Sequence, residues 1–81
     1  MNMVKMKELI ETVVEALVDY PEDVSVTETS DERTITYVLS VHKEDMGKVI
    51  GKQGRVIKSI RTVVYAAGTG LDKRIHLEIN E

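Results

Sequence analysis

An α+β fold is predicted by three features of this 81-residue chain. Apolar positions recur first at helical spacing, then at period two in two neighbouring runs, then at helical spacing over two segments, and finally at period two again. Two glycines three apart, Gly51 and Gly54, interrupt the second helical region. There is no cysteine, so neither disulfides nor thiolate metal sites can hold the chain, and a core drawn from its 42% hydrophobic residues must suffice. The order α-β-β-α-α-β predicts a two-layer sandwich, a three-stranded sheet with the helices on one face, forming a single domain over residues 1–81.

The first element follows from Met6, Leu9, Ile10, Val13, Val14 and Leu17, whose spacing predicts an amphipathic helix from about residue 3 to 18 with an acidic outer face. Pro21 is its natural stop. "VSVTE" at 24–28 and "TITYVLSVH" at 34–42 alternate, placing Val24, Val26, Ile35, Tyr37, Leu39 and Val41 inward, and the polar "TSDER" between them predicts a hairpin connection. From about Asp45 a short helix runs to Ile50, where Gly51 supplies a left-handed or otherwise strained backbone. A second helix starts near Arg55, buries a face drawn from Val56, Ile57, Ile60, Val63, Val64 and Ala67, and ends at Gly68 and Gly70. "RIHLEI" alternates again, with Ile75, Leu77 and Ile79 inward.

Charge is unevenly distributed along this order. Residues 1–42 carry three Lys/Arg against nine Asp/Glu, whereas residues 43–61 carry six (Lys43, Lys48, Lys52, Arg55, Lys58 and Arg61) against Glu44 and Asp45. The net charge of −3 therefore hides a basic stretch centred on the glycines. Lys5, Lys7, Glu8, Glu11 and Glu15 break up the first twenty residues, so neither a secretory leader nor a membrane span is expected, and a soluble intracellular protein is.

The glycines fit neither common nucleotide loop. Dinucleotide binding needs three glycines after a strand, and a P-loop needs four residues between its glycines followed by Lys-Ser/Thr; here three residues separate Gly47 from Gly51, and Gln53 follows Lys52. What remains is I-G-K-Q-G-R between two helices. Glycines there expose backbone to an approaching anion, the start of the second helix offers partial positive charge, and Lys48, Lys52, Arg55 and Lys58 surround the point while Ile50 and Ile57 present an apolar surface.

"VIGKQGRVI" resembles the GxxG signature of KH domains, and the element order is similar to the prokaryotic, type II arrangement. Since the resemblance spans nearly the whole chain, it is most similar to the small single-KH bacterial RNA-binding proteins of the KhpA group. The resemblance implies that the loop clamps the sugar-phosphate backbone of about four unpaired nucleotides of RNA, with their bases in the neighbouring apolar groove. Gly51, Lys52, Gln53 and Gly54 correspond to the motif itself, and Ile50, Arg55 and Ile57 to its flanks; charge and helical spacing add Lys48, Lys58 and Arg61. It further implies a cytoplasmic RNA chaperone, regulator or adaptor that needs no cofactor and pairs as a homodimer, or as a heterodimer with another RNA-binding protein of the KhpB kind. Val56, Val63 and Tyr65 are the candidate association residues, the helix being apolar over a wider stripe than one sheet face needs.

Other chemistries find little support. His42 and His76 fall at polar strand positions without a second ligand at metal-binding spacing, and three tyrosines with no Phe or Trp make a stacking sheet improbable. Tyr37 is assigned to the core. No nucleophile, base and orienting acid come together, so no enzyme is expected. Helix-turn-helix DNA binding fits poorly because the second helix lacks Asn and Gln to read bases. The principal competing function is a protein-interaction module that uses the same helix pair.

Overall fold

The computed structural model describes residues 6–70 and 72–80. Six principal elements follow the predicted order: α1 (Met6–Glu15), β1 (Ser25–Ser30), β2 (Thr34–Ser40), α2 (Met46–Ile50), α3 (Arg55–Ala67) and β3 (Arg74–Ile79). The sheet runs β1-β2-β3, with β1 antiparallel and β3 parallel to β2. The hairpin closes because Asp31 accepts hydrogen bonds from the Arg33 and Thr34 N–H groups at 2.8 Å each. A parallel third strand requires a crossover, and α2, the glycine loop and α3 provide it.

The core is the single layer between sheet and helices. Ile10 and Val14 from α1, Val49 from α2, Ile57, Ile60 and Val64 from α3, and Val26, Tyr37, Leu39, Ile75 and Leu77 from the sheet are buried together. Val24, Ile35, Val41 and Ile79 are half-buried at its margin.

Three boundaries differ from the sequence expectation. The expected start of α1 near residue 3 lies outside the described residues. Its end comes at Glu15, not 18, and Leu17 is 41% exposed instead of in the core. The cause is distant in sequence: Leu17 N–H tightens back onto Val14 O at 2.9 Å, and the Asp19 and Tyr20 N–H groups are both captured at 3.0 Å by the carboxylate of Asp45. Pro21 then opens a short 3-10 turn. β1 extends two residues beyond the predicted run, to Ser30, and β2 stops at Ser40, so His42 lies past the strand. His42 stacks on Tyr20 with ring centroids 4.0 Å apart and accepts the Glu44 N–H at its Nδ1.

Asp45 is the one fully buried charged residue among those described. Burial pushes its carboxyl pKa up, but the two backbone donors, with Lys48 and His42 nearby, outweigh that and hold it below the usual value. Placed just before Met46, it ties the start of α2 to the chain leaving α1, and so fixes the helix that carries the glycine loop.

Candidate nucleic-acid interface

The loop has three departures from ordinary L-residue backbone within four positions. Gly51 closes α2 at φ 78°, ψ 175°, a combination open essentially to glycine alone. Gln53 then adopts φ 56°, ψ 25°, the one described non-glycine residue at positive φ. Gly54 follows at φ 74°, ψ 17°, also left-handed. A glutamine held there costs about 1 kcal/mol, and such strain tends to persist at binding sites.

The two motif glycines serve different ends. A Cβ on Gly51 would lie 2.4 Å from Val56 Cγ2 and 2.8 Å from the Val56 backbone nitrogen, so this glycine exists to let α3 fold back against the loop. A Cβ on Gly54 would meet nothing within 4 Å. The expectation that both glycines open the backbone to an anion is therefore corrected: the open face belongs to Gly54, and Val56 occupies the space beside Gly51.

The polar residues around the loop also divide. Lys52 and Gln53 are exposed at its tip, Arg55 and Lys58 are exposed on the first turn of α3, and the Arg55 guanidinium weakly contacts Gln53 Oε1 at 3.4 Å. No side chain caps the start of α3, a 13-residue helix, so its positive dipole end adds to these charges. Lys48 is engaged differently. Its ammonium pairs with Asp19, whose hydrogen bond raises the lysine's pKa. Arg61 is half-buried and donates from Nε to Leu77 O at 3.1 Å, tying α3 to β3. Lys52, Arg55 and Lys58 are thus gathered around Gly54, whereas Lys48 and Arg61 are committed to contacts within the fold.

The apolar half of the expected site also shifts. Ile57 is 5% exposed because positions 57, 60 and 64 face the sheet, so it offers no surface beside the loop. Ile50 is half-buried against the core. The accessible apolar groove lies on the other side of α3, between it and α1, with a volume of about 350 Å³ and walls that include Val13, Leu17, Val56, Ile60 and Val63. Val63 is 48% exposed there. Tyr65 is also exposed but stands about 160° around the helix from Val63, so the three association candidates do not form one patch.

His76 lies on the outer sheet face, 3.1 Å from Glu78, and no group of three metal-ligating side chains occurs among the described residues. Nor is any helix of the described residues long and apolar enough to cross a membrane.

Residues 7–79 match the family model described as the KH domain of KhpA/KhpB. The chain is 59% identical to the RNA-binding protein KhpA of Listeria monocytogenes serovar 1/2a over 76 residues, which cover 94% of this chain and all of that protein. It is 49% identical to the RNA-binding protein KhpA of Bacillus subtilis over 74 residues, 91% of each. Among solved structures, Aquifex aeolicus Era bound to GDP and AlF4− superposes with a TM-score of 0.68 at 17% identity, covering 91% of this chain and 29% of Era. Era in complex with MgGDPNP and nucleotides 1506–1542 of 16S ribosomal RNA gives 0.69, also at 17% identity, over 91% of this chain and 28% of that one. These two likenesses concern the fold, and this chain spans less than a third of Era.

Proposed function

The chain belongs to the KhpA/KhpB family of KH domains, and on that premise we propose that it binds single-stranded RNA through the loop from Gly51 to Gly54. The observation that carries this reading is Gly54: a left-handed residue with open space where a side chain would be, beside exposed Lys52, Gln53 and Arg55 and the uncapped start of α3. A phosphate can approach backbone there without displacing any side chain, and the surrounding cations attract it independently of base sequence. The relatives named as RNA-binding proteins add their weight.

The protein acts without catalysis, as a chaperone, regulator or adaptor of RNA in the cytoplasm, and residues 1–81 form one KH domain. Replacing Lys52 and Gln53 together with Asp tests the loop. Aspartate tolerates the left-handed backbone of position 53 better than most residues, so the circular dichroism spectrum is expected to stay unchanged. Titration with short single-stranded RNA is expected to show binding lost, and wild-type binding by the double variant would overturn the reading.

A second reading concerns association, and the α1–α3 groove favours it. In an otherwise acidic, charged molecule, Leu17 and Val63 leave apolar surface in water, and a small domain gains by covering it. The occupant is a second copy of the chain, giving a homodimer, or another RNA-binding protein of the KhpB kind. Light scattering at micromolar concentration is expected to give a mass above one chain, reduced to one by Val63→Glu. A single-chain mass for the wild type, with no partner recovered from cells, would sink it.

A further inference from the structure

At the far end of α3 from the glycine loop, an open depression of about 480 Å³ lies between the end of the helix and the start of β3. Tyr65, Gly68, Gly70, Lys73, Arg74 and Ile75 contribute to it. Nothing in the loop reading uses this place. Building on the RNA reading above, we infer that it is a second nucleotide subsite, which takes a base and phosphate of the same strand several nucleotides beyond those held at the loop.

Four observations support this. The first is a path. Lys58, Thr62, Tyr65 and Thr69 are all exposed and follow one another at intervals of four, three and four residues, so they form one stripe running from the loop to the depression. The stripe lies on the opposite side of α3 from the apolar groove, and the two surfaces do not compete. The second is an aromatic face: Tyr65 is 41% exposed, in a chain with no Phe or Trp. A tyrosine ring standing between Lys58 and the Lys73–Arg74 pair is a side chain on which an unpaired base stacks.

The third is charge. Arg74 is exposed and has no ion pair among the described residues, while Asp31 lies within electrostatic reach of neighbouring Lys73. Asp72 is the acid beside them in sequence, and His76 is already paired with Glu78. The carbonyls at the end of α3, which would repel a phosphate, are largely occupied: Gly68 N–H bonds Val64 O and Tyr65 O, and Thr69 N–H bonds Ala66 O. The fourth is backbone. Arg74 N–H and Asn80 N–H bond towards β2, so in a parallel ladder the N–H and C=O of Ile75 face the free edge of β3, beside the depression, where they can pair with a base edge.

The 13 residues of α3 span about 18 Å, or about five stacked nucleotides and fewer if the strand is extended. An RNA of four nucleotides should therefore fill the loop alone, whereas one of ten reaches both places. The test titrates mixed-sequence single-stranded RNAs of these two lengths into the wild type and into Tyr65→Ala, Arg74→Ala and Gly54→Asp, with the mass of each variant checked.

The wild type is expected to favour the longer RNA. Tyr65→Ala should remove about tenfold of affinity for it, and Arg74→Ala a smaller factor, with the four-nucleotide affinity unchanged in both. If both variants bind both lengths as the wild type does while Gly54→Asp binds neither, the subsite is refuted and the loop reading stands. If Tyr65→Ala weakens both lengths equally, the residue acts through the fold or assembly and the subsite is again refuted. Undiminished binding of the short RNA by Gly54→Asp would overturn the loop reading and the subsite with it.

Discussion

The two ends of α2 are built on opposite plans. At its start, the buried carboxylate of Asp45 accepts two backbone hydrogen bonds from the segment leaving α1, and every side-chain polar atom buried among the described residues has a partner. At its end, six residues after Asp45, Gly51 turns the chain into a loop whose tip holds Lys52 and Gln53 in water and leaves open space beside Gly54. A five-residue helix is too short to be stable alone, so its position depends on tertiary contacts. One end is satisfied inside the protein, and the other is left for something outside it. The difference separates what places the loop from what the loop offers.

The largest effect is expected within the loop itself, because its glycines fall on either side of this division. Gly51→Ala must find room for a methyl group 2.4 Å from Val56 Cγ2, at a φ and ψ nearly restricted to glycine. Strain and overlap together cost about 3 kcal/mol or more, a large share of the stability of so small a domain. The melting temperature is expected to fall by roughly 15 °C or more. Gly54→Ala meets only the ordinary left-handed penalty, about 1 kcal/mol, and is expected to lower it by about 5 °C. Equal losses in thermal melts would show that the two glycines play the same part.

Much of this architecture was legible in the sequence, and the failures have a common physical form. Element order followed from periods of 3.6 and 2, and the start of α3 at Arg55 and its end before Gly68 followed from glycine chemistry. The end of α1 was not legible, since the carboxylate that captures Asp19 and Tyr20 is 26 and 25 residues away. The basic cluster was visible as a cluster, but no spacing rule reveals that Asp19 holds Lys48 or that a β3 carbonyl holds Arg61. Ile57 looked available because it adjoins the motif, yet the phase of α3 turns it to the sheet. The glycine pair marked the loop, whereas the distinction between its members depends on where Val56 lies. One further signal does lie in the sequence: Asp45 is an acid at the head of a basic stretch, placed where a helix begins.

A smaller effect is expected at the other end of α2. Asp45→Asn keeps the shape of the side chain but replaces one acceptor oxygen with a donor, which then faces a backbone N–H. At neutral pH the variant is expected to melt roughly 5–10 °C lower than the wild type. Because the folded-state pKa of Asp45 is depressed, the stability it contributes is fully present above the unfolded value of about 3.9 and is lost as pH falls through the folded one. The gap between the two melting curves should therefore be constant above about pH 5 and should narrow progressively below it. Asp31, whose pKa is also lowered by its backbone donors, titrates in both proteins and cancels from the difference. A gap that stays the same down to pH 3 would show that the Asp45 charge does not hold this joint. The folded variant at pH 7 adds a second reading: if Asp45 only places the loop, RNA affinity should fall in step with the folded fraction and no further. Loss of binding by a fully folded Asp45→Asn protein would mean that the anchored end and the open end act as one unit, and the contrast between them would fail.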